Sequence, residues 1–365
     1  MSGSSELFFL HPFRLPSEHA HGIQILRTCE ALVAAGTTVR LPVKRNPERP
    51  VASVAEALAA YGITPRPGLR IEWLPTRHKG LSGLALRLQI LTARERPVFY
   101  ARHLRLARVA ALRGPVIVEL HGLERGTARA VAAADAVVTI SAALAARVHE
   151  LYAPACPVEV IPDAADTGVF RRVEAPGPVR AVYMGQLMPW KGVEILLQAL
   201  ARVPGLPALV IGGRAGYDPR REKLRRMAGE LGLGERVEWT GYLPQADAWQ
   251  RLRGGDIGIV PTRAGDSQEL STSPLKLFEY RACGLPVVAS DLPALRELVT
   301  EGENGALFAE GDPAALAAVL ARLAARPEER ERLAAGALRG AAERTWAARA
   351  TRLQTLIHRV RTARI

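Results

Sequence analysis

Short apolar runs alternate with amphipathic stretches along most of the chain. Glu6–Leu10 predicts a buried strand. Apolar positions at helical spacing then run from about Gly22 through Ile23, Leu26 and Leu32 to Gly36, which suits a helix C-cap. Val39–Val43, Leu69–Leu74, Pro97–Ala101, Val116–Leu120 and Ala136–Ile140 predict further strands. Helices are expected over Val51–Tyr61, Ser82–Thr92 and Leu104–Leu112, and from an N-cap at Ser141 through Val148. Repeated strand–helix–strand units imply a parallel sheet covered on both faces, so residues 1–170 read as one doubly wound domain.

Between Ile161 and Pro178 the periodicity stops, and three prolines and two glycines give the stretch a linker's composition. The pattern then restarts. Val179–Met184, Ala208–Ile211, Arg236–Trp239, Ile257–Val260 and Pro286–Ala289 are short apolar strands separated by helical segments, predicting a second doubly wound domain over 171–340. From Pro313 to Ile365 the chain is rich in Ala and Arg, with Leu and Val at helical spacing, and two or three terminal helices are expected, interrupted by Gly336 and Gly340.

Composition narrows the class. Of 365 residues, 48% are hydrophobic and 23% charged, which permits a proper core and excludes a disordered chain. Lys and Arg number 49 against 36 Asp and Glu, a formal net charge of +13. Residues 1–173 hold 22 basic and 14 acidic residues, 174–340 hold 21 of each, and 341–365 hold 6 and 1. This asymmetry points to an anionic partner. A nucleic-acid-binding protein would show the same charge, but aromatic residues are only 5% and no reader motif is present. Cys29, Cys156 and Cys283 form neither a disulfide framework nor a zinc pattern. No apolar run reaches 18 residues and the start has no basic n-region, so a cytoplasmic protein is expected.

Open α/β sheets take ligands at the carboxyl ends of their strands. Gly185-Gln186-Leu187-Met188-Pro189-Trp190-Lys191-Gly192 directly follows the first strand of the second domain and precedes a helix. Glycines that let the backbone turn closely, helix N–H groups and the Lys191 charge suit a phosphate; a plain turn with a solvated lysine is the alternative. Neither a Walker loop nor a G-x-G-x-x-G fingerprint occurs. A second place is Ser271–Gly284, where Ser273 can cap, Pro274 suits the first helical position and Gly284 suits the stop. Lys276 falls in the first turn, where the helix dipole disfavours a cation unless an anion is near, and Glu279 follows about one turn on. An exposed intrahelical Lys276–Glu279 pair is the other reading.

Together, the glycine and lysine turn, the Ser-Pro-Leu-Lys-Leu-Phe-Glu-Tyr helix and the following Gly-Leu-Pro-Val-Val-Ala-Ser strand resemble glycosyltransferase family 4, the retaining enzymes of GT-B fold. Ser17–Gln24 resembles the family's acceptor-side loop and first helix, Val118–Gly122 its strand ending in a functional histidine, and Thr345-Trp346 the start of its last helix. The resemblance covers nearly the whole chain. It implies two Rossmann-like domains with a cleft between them, the first (1–170) taking the acceptor and the second (171–340) the nucleotide sugar, with a terminal helix (341–365) crossing back onto the first.

Position by position, the resemblance assigns Lys191 to the donor diphosphate, Glu279 to the ribose and His121 to the transferred sugar. Gly241, Tyr242 and Leu243 would hold the base; Gly185, Gln186, Ser273, Leu275 and Lys276 complete the donor set. His19, His21 and Gly22 would contact sugar or acceptor. Two positions depart from the family. Gln186 stands where an arginine is frequent, and Ser271 where a first glutamate is frequent, with Asp266 or Glu269 as candidate replacements. The implied activity is retaining transfer from a nucleoside-diphosphate sugar, UDP or GDP, to an acceptor hydroxyl in polysaccharide, glycolipid or glycosylated-metabolite synthesis. The chain has no Asp-x-Asp pair, so neither metal nor cofactor is expected. The acceptor is expected to be anionic or at a membrane surface, with peripheral attachment to its inner face. A GT-B sugar-nucleotide epimerase is the competing enzyme.

Overall fold

The computed structural model describes residues 6–76, 80–93, 96–166, 177–265 and 274–363. The chain forms two compact units, Met1–Pro162 with Trp346–Ile365, and Asp163–Thr345. The divisions therefore fall at 162 and 345 instead of 170 and 340. The second follows a helix end, because 341 and 342 still belong to the helix Pro327–Ala342 of unit 2.

Unit 1 is built on strands β1 (Glu6–Leu10), β2 (Arg14–Leu15), β3 (Thr38–Arg45), β4 (Leu69–Leu74), β5 (Val98–Ala101), β6 (Val116–Leu120), β7 (Ala136–Thr139) and β8 (Val158–Val160). They form one parallel sheet in the order β2-β3-β1-β5-β6-β7-β8, with β4 also on β3. Alternate side chains of β1 enter opposite layers, as the two-residue period of a strand requires. Leu7 and Phe9 join Ile25, Leu26 and Leu32 of the helix Ala20–Ala34. Phe8 and Leu10 join Leu86 and Ile90 of the helix Leu81–Leu91 and Leu104 of the next. The terminal helix Trp346–Thr362 closes the first layer with Leu353, Leu356, Ile357 and Val360.

Unit 2 contains β9 (Ala181–Met184), β10 (Ala208–Ile211), β11 (Val237–Gly241), β12 (Ile257–Val260), β13 (Val287–Ser290) and β14 (Gly305–Phe308). Their order is β11-β10-β9-β12-β13-β14, all parallel. β9 pairs with β10 on one side and β12 on the other, so the strand order reverses there. That reversal opens a crevice at its carboxyl end. The helix Pro327–Ala342 runs through Gly336 and Gly340, which correct the expected interruptions. A Cβ at 336 would overlap the Glu303 carbonyl and one at 340 the Arg281 guanidinium, so these glycines admit neighbouring groups instead of breaking the helix. No helix among the described residues is long and apolar enough to cross a membrane.

Candidate functional site

In unit 2 the chain leaves β9 through Gly185, whose φ of +136° only glycine adopts readily. A Cβ there would lie 3.2 Å from the Lys276 ammonium, so its absence lets the lysine reach the turn. The Tyr183 hydroxyl donates to the Gln186 carbonyl at 2.5 Å and fixes the loop. A 3-10 turn, Pro189–Lys191, then leads through Gly192 into the helix Val193–Leu200.

Lys276 enters from the first turn of the helix Leu275–Ala282. This helix is placed by Tyr280, whose hydroxyl accepts the Met184 N–H at 2.7 Å. Its end is fixed by Gly284, since the Leu285 N–H reaches back to the Tyr280 carbonyl and the Gly284 N–H to Arg281. Pro274 is the N-cap, in extended conformation, and not the first helical residue. Helix geometry leaves the Leu275 and Lys276 N–H groups without intrahelical acceptors at this end, while the Leu277 N–H donates to the Pro274 carbonyl at 2.9 Å.

The Lys276 ammonium sits 3.7 Å from the centroid of the Tyr183 ring. Burial, reinforced by the Lys191 charge, holds it well below the usual lysine range, with Glu279 acting in the opposite direction. Burial also lowers Lys191. Among the described residues neither lysine forms an ion pair. Lys276 and Glu279 are both only 8% exposed, which overturns the exposed intrahelical pair. Glu279 instead accepts the Trp249 indole N–H at 2.9 Å. Trp249, absent from the sequence reading, lies about one turn into the helix Gln245–Leu252, which follows the strand end at Gly241.

Gly241 (φ +68°) ends β11 and its carbonyl accepts the Gly212 N–H at 2.9 Å, tying that strand end to the crevice of β9 and β10. Tyr242 and Leu243 follow, both half-buried. Ser273, Asp266, Glu269 and Ser271 lie outside the described residues.

Unit 1 gathers polar groups at its own strand ends. His121 follows β6, and its Nε2 lies 2.5 Å from Oε1 of Glu119 on that strand. Glu119 is buried and also accepts from Arg349 at 2.9 Å, from the Gln24 amide at 3.0 Å and from the Tyr100 hydroxyl. Arg349, from the terminal helix, further donates to the Pro162 carbonyl at 2.7 Å. Burial alone would raise the Glu119 carboxyl, but Arg349, then His121 and Arg102, outweigh it and hold the group well below the usual carboxylate range. The carboxylate therefore stays ionised and fixes one side of the imidazole.

His21 opens the first helix, stacked on His19 with centroids 5.3 Å apart and edge-on to Phe13. Burial, then the Arg102 charge, lowers it to about 4, so it is neutral at pH 7. Gly22 packs so closely that a Cβ would press on Ser17 and Phe13 at 3.2 and 3.3 Å. His11, which follows β1, joins this group 5.3 Å from His21, and burial holds it far below the usual histidine range. Sequence reasoning missed His11, although its place at a strand's carboxyl end was a signal. The structure thus brings His11, His19 and His21 together in unit 1, and Lys191, Lys276 and Glu279 share the strand ends of unit 2.

Residues 169–339 match the family described as "Glycosyl transferases group 1". The chain is 38% identical over 181 residues to D-inositol 3-phosphate glycosyltransferase of Thermomonospora curvata, covering 47% of this chain and 41% of that protein. With its counterpart in Streptosporangium roseum it shares 31% over 248 residues, covering 62% and 56%. The chain spans about half the length of the curated relatives it matches. Sucrose-phosphate synthase from Thermosynechococcus elongatus superposes with a TM-score of 0.80 at 20% identity, over 98% of this chain and 100% of that one. Anabaena Alr3699/HepE in complex with UDP-glucose gives 0.76 at 19%, over 97% and 99%. The second unit thus carries a glycosyl transferases group 1 domain, and the two units share the GT-B fold of these solved structures.

Proposed function

We propose that this chain is a retaining glycosyltransferase that moves a sugar from a nucleoside-diphosphate sugar to an acceptor hydroxyl. The observation that carries the proposal is the pair of lysines, Lys276 buried and Lys191 half-buried, set without ion-pair partners among the described residues around the turn that leaves β9. Burying an ammonium is costly unless a charge of opposite sign arrives, and a diphosphate supplies it.

Breaking the sugar–phosphate bond puts new negative charge on the departing diphosphate and gives the sugar oxocarbenium character. Lys191, Lys276 and the Leu275 and Lys276 N–H groups at the start of the helix Leu275–Ala282 act where that charge develops, so they stabilise the transition state more than the ground state. Lys276 supplies the second cation that Gln186 does not. The donor's own phosphate oxygen takes the acceptor's proton, and no protein base is assigned. Glu279, steadied by Trp249, accepts from the ribose hydroxyls, while Gly241, Tyr242 and Leu243 hold the base. His121, oriented by Glu119, contacts the transferred sugar, and His19, His21 and Gly22 belong to the acceptor side.

Alr3699/HepE, solved with UDP-glucose, supports a uridine nucleotide. Relatives named D-inositol 3-phosphate glycosyltransferases fit an anionic acceptor drawn by the charge of unit 1. In this reading no divalent metal takes part, and EDTA leaves turnover unchanged. Product analysis with UDP-, GDP- and ADP-sugars tests the proposal. Free nucleoside diphosphate with sugar on an acceptor is the expected result; a rearranged sugar nucleotide without transfer would make the protein an epimerase.

A further inference from the structure

The helix Leu81–Leu91 is apolar on two sides. Leu86 and Ile90 face the core of unit 1, while Leu81, Leu84, Leu88 and Leu91 are 36%, 55%, 53% and 43% exposed. At 3.6 residues per turn the four exposed leucines fall within an arc of about 80°, on the side away from Leu86 and Ile90. Single exposed leucines need no explanation, but four of the ten large apolar side chains exposed among the described residues lie in this one helix, and a contiguous stripe marks a contact surface.

Its surroundings indicate the partner. The helix has no acidic residue, and Arg87 beside the stripe is exposed. Between Leu74 and Pro97 the sequence holds five Lys and Arg against Glu95 alone. Unit 1 as a whole contains 25 Lys and Arg against 12 Asp and Glu, so the entire net charge of +13 resides on it.

We propose that this leucine face docks unit 1 onto a bilayer containing anionic lipid. The leucines enter the headgroup–acyl boundary, exposed Arg87 beside them meets lipid phosphate, and the net positive charge of unit 1 draws the face to the anionic surface. Eleven residues are too few to span, so the helix lies along the surface. A second copy of the chain is the less favourable occupant, because pairing the face with itself would bring two strongly positive units together, whereas anionic headgroups complement that charge. The inference goes beyond the transferase reading and does not rest on it, since binding needs no donor.

Co-sedimentation of the full chain with phosphatidylcholine vesicles, with and without phosphatidylglycerol, tests it. Wild-type protein is expected to sediment with the anionic vesicles and weakly with the neutral ones. The uncharged double substitution Leu84→Ser with Leu88→Ser should weaken anionic-vesicle binding by about tenfold or more at an unchanged melting temperature. Leu81→Ser with Leu91→Ser serves the same purpose if the first variant folds poorly. Arg87→Glu should weaken binding by a smaller factor that disappears in high salt. No binding by wild type, or a leucine variant that binds as well as wild type, would overturn the proposal. So would a wild-type dimer that ignores vesicles and becomes monomeric on Leu84→Ser with Leu88→Ser, because the face would then be covered by a second copy.

Discussion

The two units bury charge in opposite ways. Unit 1 carries the whole net charge, yet its buried Glu119 and Arg349 are paired with each other and with His121, Gln24 and the backbone at Pro162. Unit 2 holds 24 Lys and Arg and 24 Asp and Glu, and is neutral, yet Lys276 is buried and Lys191 half-buried there without an ion pair among the described residues. Overall charge therefore does not explain where cations are buried. A paired buried charge joins elements of the fold, here β6 and the terminal helix; a buried charge lacking a partner marks a place for a ligand.

The contrast breaks first at Arg349. Arg349→Met leaves Glu119 without its main cation and should destabilise unit 1 by about 3–5 kcal/mol in urea unfolding, with much of the loss recovered when Glu119→Gln is added. Wild-type stability in the single variant would remove the pair from the account. Lys191→Ala should cut turnover by about 10²-fold or more while the fold persists, as loss of one preorganised electrostatic group does. Steady-state kinetics beside a melting curve separate the two effects. Lys276→Met should act in the reverse sense on stability, raising that of the ligand-free protein by about 1–2 kcal/mol while abolishing stabilisation by nucleoside diphosphate.

Smaller effects appear with pH, and their windows distinguish the units. Lys276 and Lys191 are lowered from 10.5, so between their folded values and 10.5 the unfolded chain binds more protons, and ligand-free stability rises with pH there. Lys276→Met should flatten that rise. A bound diphosphate favours the ammonium forms, so its affinity should fall as pH rises through the bound-state values. Glu119 is also lowered, from 4.5, so the stability it contributes above 4.5 is lost as pH falls through its folded value, a loss that Glu119→Gln should remove. Unfolding curves across both ranges check the signs.

Much of this was legible in the chain because it depends on local pattern. The strand-to-helix turn at Gly185 lies where the apolar run stops, and Gly36 and Gly284 end their helices in left-handed conformation. Ser141 caps its helix by accepting from the Leu144 N–H. What escaped depends on tertiary contact. β14, Gly305–Phe308, is as short as its neighbours, but it follows Glu301-Gly302-Glu303-Asn304 and precedes Ala309-Glu310-Gly311-Asp312, so its brief apolar run reads as part of a polar loop. Gly336 and Gly340 look like helix breakers until the groups packed against them are known. Arg349 is one of 44 arginines, and nothing in its own helix shows that it reaches a carboxylate 230 positions away. Glu119 did carry a signal, an acid inside an otherwise apolar strand, but its partners come from Gln24, Tyr100 and the last helix.

The central claim is that buried Lys276 and half-buried Lys191 of unit 2 await a diphosphate. Calorimetric titration of UDP, GDP and ADP into wild-type protein, Lys191→Ala and Lys276→Met tests it most directly. The account predicts that one nucleotide binds wild type and binds each variant at least about tenfold more weakly, as expected when a charged partner is lost. Equal affinity in all three proteins, or no binding of any diphosphate, would contradict it.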